Sequence, residues 1–198
     1  MPSRSLSRKD VGLAVAKAQG YEADDFLAAA VASEERSGGM ALVASGDRDA
    51  FQLASSRTSI LHPVKAGEMA RIGPAEVRER YGVEPEQVPD FIALRGDPSD
   101  KLPGARGVGP KRAAALLNQF GSLEAILAAG PFADQAEDLK LYRRLATMDV
   151  KAPLPDFSDQ QPDWSNAAGL AREWELDGLA RRLESLAAPA SRGNVRPG

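Results

Sequence analysis

Apolar residues in the first third of the chain come in short bursts: VGLAVAKA at 11–18, ALVAS at 41–45 and SILHPV at 59–64. Bursts of this length, bounded by glycine, serine or charged residues, predict strands. Between the first two, residues 25–37 space their apolar positions three and four apart. This predicts a helix, stopped at Gly38-Gly39. A short helix is expected over 48–53. Strand alternating with helix implies an α/β core with parallel strands. From Gly73 onward the pattern is helical throughout. Helices are expected over 74–81, ending at Gly82, then over 85–94, 112–119, 123–128, 136–147 and 166–186. The last two are separated by the proline-rich KAPLPDFSDQQPDW.

Composition narrows the setting. With 198 residues and 43% hydrophobic content, the chain can bury a core and carry one domain with an appendage. It has no cysteine, which excludes disulfides and thiolate metal sites and fits a reducing, cytoplasmic setting. No apolar run reaches membrane-spanning length and the first residues lack a signal-peptide core, so no membrane partner is expected. The tail 187–198, with PASRGNVRPG, is expected to be disordered.

Charge brings the candidate chemistry. Seven carboxylates fall in three tight groups, Glu22/Asp24/Asp25, Asp47/Asp49 and Asp97/Asp100, each beside a glycine or turn signal. Brought together, they would repel one another and be driven to protonate unless divalent cations neutralised them. An oxygen-only donor set suits Mg²⁺ or Mn²⁺ rather than zinc. Single residues keep simpler readings: solvated surface acid, helix cap at Asp24 or Asp25, turn former at Asp97. Capping explains one residue of a group and leaves the rest of the group unexplained.

The third group runs directly into KLPGARGVGPKR, residues 101–112, with four basic side chains and no acidic one in a chain of net charge −3. Gly107 and Gly109 allow a sharp turn, and Pro110 suits the first position of the helix that follows. Lys111 and Arg112 then sit in the first helical turn, where the dipole disfavours cations. A phosphate partner accounts for this placement better than helix stability does. An ordinary turn with solvated lysines remains the alternative.

GYEADD, SGDRD, ALRGDPSD, KLPGARGVGPKRAAALL and FGSLEAIL, in this order and spacing, resemble the 5′ nuclease family. That family comprises bacterial 5′–3′ exonucleases, the nuclease domain of DNA polymerase I and flap endonucleases, and the likeness runs over about residues 11–186. The resemblance implies a PIN-like parallel α/β core, here partial, over residues 1–72. A helical region over 73–186 would follow, with a helix-hairpin-helix at about 102–117. Glu22, Asp24, Asp25, Asp47, Asp49, Asp97 and Asp100 look like the family's catalytic metal ligands, binding two Mg²⁺ or Mn²⁺ ions. Lys101, Gly104, Arg106, Gly107, Val108, Gly109, Lys111 and Arg112 look like its duplex-gripping segment, which in the family also holds a potassium ion on turn carbonyls.

The implied activity is hydrolysis of DNA phosphodiesters from 5′ ends, nicks or flaps by a monomer. Lys101 stands where Asn is common in the family, and Arg112 where Thr is common. The family's first strands and helical arch, which carry further aspartates and basic residues, do not fit before Tyr21. The chain therefore reads as the C-terminal two-thirds of a 5′ nuclease. Two other classes compete: a catalytically silent DNA-structure-binding protein, and a fragment lacking the first ligands. His62 is expected at a surface or sheet edge, Trp164 and Trp174 in packing, and Arg4, Arg8 and Lys9 in a solvated terminus.

Overall fold

A computed structural model describes residues 11–65, 67–157 and 160–187. By its contacts the backbone separates into two compact units, Ala18–Pro153 and the two chain ends, up to Lys17 and from Leu154 on.

In the larger unit, helix α1 (Ala23–Arg36) turns Phe26, Ala28, Ala29 and Val31 inward. It leads to strand β1 (Ala41–Ala44), which pairs in parallel with β2 (Thr58–Lys65), Val43 beside Ile60. A 3₁₀ turn, Asp49–Leu53, begins the connection between them. The sheet is mixed, because β3 (Glu68–Ile72) returns antiparallel from β2. EMARI has one buried end and two charges in five residues, so its apolar pattern carries no strand signal; pairing with β2 makes it one. Residues 11–18, expected as a strand, are irregular here: a run with three alanines and no sheet partner among the described residues has nothing to satisfy its backbone in a ladder.

Helix α2 (Pro74–Tyr81) starts on Pro74 and stops at Gly82, in the left-handed conformation at φ 73°. Helix α3 (Val88–Arg95) is buried from Val88 to Leu94, aspartate included, and forms the centre of the unit. Asp90 accepts the Leu123 amide at 2.9 Å and faces Arg143 at 3.8 Å. Against α3 pack α4 (Pro110–Phe120) and α6 (Ala136–Ala146), and α5 (Leu123–Ala128) packs on α4. Phe51, Ile60, Ile72, Phe91, Ile92, Leu117, Leu123, Ile126 and Leu139 form one continuous core. His62 joins it rather than the surface, edge-on to Phe51 with ring centroids 5.2 Å apart, its Nδ1 3.2 Å from the Ser45 carbonyl.

The other unit contains α7 (Trp164–Glu173) and α8 (Asp177–Ala187), packed as a helical hairpin on buried Ala167, Ala168, Ala171 and Ala180. One helix was expected here. The break lies at Glu175, at φ 59°, where the Leu176 and Glu175 amides reach back to the Ala171 and Arg172 carbonyls at 2.8 and 2.9 Å. That closure is usually made by glycine, so glutamate at its left-handed position hides it. Trp164 is half-buried as expected, while Trp174 is 47% exposed. Residues 188–198 of the expected tail, and Arg4, Arg8 and Lys9, lie outside the described residues.

Between α3 and α4, Asp97 and Leu102 exchange both backbone hydrogen bonds, at 2.9 and 2.8 Å, around a tight turn. The chain then crosses itself at Gly96 and Gly104, and a Cβ on Gly104 would meet the Gly96 nitrogen at 2.4 Å. Gly104→Ala is therefore expected to lower the melting temperature by about 4–8 °C, the shift ~2 kcal/mol produces at this size. Gly107→Ala has a similar positive φ, but its nearest neighbour is the Arg112 guanidinium at 4.0 Å. Its smaller loss, measured by calorimetry, separates the crossing from the backbone cost alone.

Candidate metal and nucleic-acid site

Three backbone features deliver the seven carboxylates. The first turn of α1 carries Glu22, Asp24 and Asp25; the exit of β1 into the 3₁₀ turn carries Asp47 and Asp49; the turn after α3 carries Asp97 and Asp100. All seven line two adjoining clefts. Glu22, Asp24, Asp25, Asp47, Asp49 and Asp100 line the first, of about 290 Å³, closed by Leu102 and by residues 145–148 at the end of α6. Asp47, Asp49, Asp97 and Asp100 line the second with Arg48 and Arg95. Asp47, Asp49 and Asp100 face both.

Their electrostatics follow from crowding. Burial, then Asp47, Asp97 and Asp100, push the Asp49 carboxyl up to about 7. Burial raises Asp24 too, helped by Asp47, Glu22 and Asp25. Asp97 runs the other way. Its burial would raise it, but the Ser99 hydroxyl and amide and the Arg95 guanidinium at 3.0 Å outweigh that and hold it below the usual range.

The seven are not equally free. Asp25 is tied at both oxygens, accepting the Glu22 amide at 2.9 Å and the Asp149 amide at 2.7 Å. Asp97 is likewise spent on Ser99 and Arg95. Asp47 accepts the Asp49 amide on one oxygen, at 2.9 Å. As the side chains stand, no three of the seven close on a single point among the described residues. In charge and donor chemistry the set still fits hard divalent cations, which relieve the repulsion that raises Asp49 and keep several water ligands of their own.

A profile described as "5'-3' exonuclease, N-terminal resolvase-like domain" matches residues 5–82, and one described as "5'-3' exonuclease, C-terminal SAM fold" matches residues 83–166. The chain belongs to the 5′ nuclease family. It is 47% identical to DNA polymerase I of Mycobacterium leprae over 184 residues, covering 89% of this chain and 20% of the polymerase. It is 36% identical to the thermostable DNA polymerase I of Thermus aquaticus over 190 residues, covering 90% and 22%. The chain thus spans about a fifth of the length of these relatives. It shares the fold of T5 5′-exonuclease, a structure with divalent zinc bound. The TM-score is 0.60 at 20% identity, over 86% of this chain and 61% of that one.

In this 5′ nuclease chain the basic segment divides by exposure. Lys101, Arg106, Gly107, Gly109, Lys111 and Arg112 are exposed, while Gly104 and Val108 are buried. Gly104 serves the backbone crossing, and the Val108 side chain the core. Arg106 is paired with Asp134, and its amide donates to Gln135 at 3.0 Å. Residues 102–117 hold one helix, α4, because glycines and prolines break the stretch before it; the helix that precedes the turn is α3. No side chain caps the start of α4.

One positioning residue carries no sequence signal. Gln52 donates to the Asp49 and Ala146 carbonyls, both at 2.9 Å, and accepts the Met148 amide at 3.1 Å. It therefore binds the turn bearing Asp49 to the opposite wall of the first cleft. Nothing local marks it, since two of its three partners lie more than 90 positions away.

The raised Asp49 carboxyl has a consequence for metal-free protein. The folded state holds its proton more tightly than the unfolded chain, so this group's stabilisation is full below pH 3.8 and is lost as pH rises through about 7. Asp49→Asn in EDTA is expected to melt higher than the parent at pH 8, by about 2–4 °C once solvent screening of a half-buried group is allowed for. The difference should vanish near pH 3.5. Saturating Mn²⁺ should raise the parent more than the variant. An Asn variant that melts lower at pH 8 would contradict the crowding.

Proposed function

We propose that this chain hydrolyses phosphodiester bonds of duplex DNA at 5′ ends, nicks or flaps, as a monomer, with Mg²⁺ or Mn²⁺ held by Glu22, Asp24, Asp25, Asp47, Asp49, Asp97 and Asp100. The supporting observation is that seven carboxylates from three separate segments line two joined clefts, at the cost of pushing one of them up to about 7. When bound, two divalent cations supply activation of the attacking water and stabilisation of the leaving oxygen.

The chain's own residues divide the remaining work. Asp25 and Asp97, fixed by amide and guanidinium donors, anchor the two ends of the cluster. Glu22, Asp24, Asp49 and Asp100 keep free oxygens for ions or their waters, and Asp47 keeps one. Lys101, Lys111 and Arg112 hold backbone phosphates at a set distance from the clefts, reading charge and shape rather than bases. A potassium ion on the turn carbonyls around Gly107 belongs to the same reading.

One observation favours a second reading, a catalytically silent DNA-structure-binding protein. Among the described residues, the strand that leads to Asp47 and Asp49 lies at an edge of the sheet, and its Leu42 is 57% exposed. A segment held on one side only places its carboxylates less rigidly, and about 1 Å of misplacement costs a factor on the order of a hundred in rate.

Cleavage of a 5′-flap or nicked duplex in Mn²⁺ decides between them. Slow, EDTA-sensitive cleavage that falls about 100-fold in Asp47→Asn supports the nuclease. Equal trace rates from parent and variant would leave the binding reading. In either case Lys111→Ala with Arg112→Ala should weaken all duplexes alike and flatten the salt dependence by about 2, close to 0.9 per phosphate.

A further inference from the structure

Beyond the clefts and the basic turn, one groove combines charge and aromatic surface in a way no role described so far uses. It lies among α2, α3 and α4, has a volume of about 610 Å³, and is lined by Arg80, Tyr81, Phe91, Arg95, Lys111 and Asn118 with small residues between them. Three cations line it and no acid does, in a chain of net charge −3. Arg80 and Lys111 are exposed and close no salt bridge among the described residues. The floor is the half-buried Tyr81 ring, which stacks on the buried Phe91 with centroids 5.1 Å apart and planes at 19°. The Arg95 guanidinium covers both rings, at 5.6 and 5.2 Å.

Two atoms there lack partners. The Tyr81 hydroxyl and the Arg95 Nε are both buried without a hydrogen bond. An unpaired buried donor costs stability, and groups of this kind persist where a ligand or water completes them. Arg95 also joins the groove to the acidic cluster, since it lines the second cleft and donates to Asp97 at 3.0 Å. The start of α4 forms another wall through Pro110 and Lys111. The groove therefore connects the basic turn to the carboxylates along one face of α3.

We propose that this groove is a further phosphate subsite for the bound DNA strand, with Arg80 and Lys111 on the phosphodiester and the half-buried Tyr81 ring beside the neighbouring sugar or base. The ligand class follows from the lining. Cations alone would take any anion, while a stacked aromatic floor adds a preference for one carrying a flat or apolar neighbour. A protein partner with an acidic stretch fits the charge but leaves the floor unused. The subsite rests on the DNA-binding reading above and adds Arg80, Tyr81 and Asn118 to the surface that meets DNA.

The test is fluorescence anisotropy of a labelled nicked duplex with the full chain in EDTA, so that cleavage and metal do not enter. Arg80→Ala should weaken binding by a factor on the order of eight at 0.1 M salt and reduce the salt slope by about 0.9, the effect of one lost phosphate contact. Arg80→Lys should recover most of both, since a point charge suffices for a phosphate. Arg78→Ala is the control: Arg78 sits on the same helix but is paired with Glu84 at 2.7 Å and does not line the groove. Competition with a deoxynucleoside monophosphate against equal inorganic phosphate reads the floor, and the nucleotide should compete better. A mononucleotide that displaces label from Arg80→Ala as well as from the parent would place the ligand elsewhere.

Unchanged affinity and slope in Arg80→Ala, with the parent binding normally, would overturn the subsite and leave the DNA-binding reading standing. A parent that does not bind duplex at all would instead remove the reading on which the subsite rests. The melting temperature of Arg80→Ala guards against misfolding as an explanation. The variant removes an exposed side chain that closes no salt bridge among the described residues, so it should melt with the parent.

Discussion

Repulsion among carboxylates is the constraint around which the larger unit is arranged. Acids gathered from α1, from the exit of β1 and from the turn after α3 raise the free energy of every fold that brings them together. The fold answers with donors placed where the backbone supplies them. Asp25 is held by the amides of Glu22 and Asp149, and Asp97 by Ser99 and Arg95. The donors at Asp97 hold its carboxyl below the usual range, while Asp49, without such donors, is pushed up to about 7. The cluster therefore has a fixed anion at Asp97 and a protonatable group at Asp49.

The backbone has to come unusually close to itself to make this possible. The Gly96–Gly104 crossing shortens the path between α3 and α4, so that Asp97 and Asp100 stay beside the clefts while Lys101 and the glycine turn project outward. Beneath them, α3 is buried over nearly its whole length and cannot shift to relieve the crowding. Rigid support under a repulsive cluster is what a site built for cations requires, because the arrangement has to survive before the ions arrive.

Much of the site was legible because its information is local. Grouped acids, a glycine turn and a proline-started helix are each written within a few residues, and the seven carboxylates named from sequence are the seven that line the clefts. Elements that depend on distant partners were not legible. EMARI is a strand only against β2, and residues 11–18 are apolar enough for a strand but pair with none among the described residues. His62 is buried by Phe51, and Gln52 gains its role from α6. The close approach at Gly104 and the burial of the Val108 side chain depend on Gly96 and on the core, which nothing local marks. Glu175 breaks a helix in a conformation that glycine usually advertises.

The two latches across the first cleft also set when the site can exist. Asp25 reaches Asp149 over 124 positions, and Gln52 reaches Met148 over 96. Contacts spanning most of the unit are made late in folding, after the loop-closure entropy of everything between them has been spent. The same contacts lie at the end of α6, where Ala146 and the following Met148 belong to the core. Opening that last turn would remove one wall of the cleft and disturb the core together, so the assembled site is tied to the local stability of the unit beneath it.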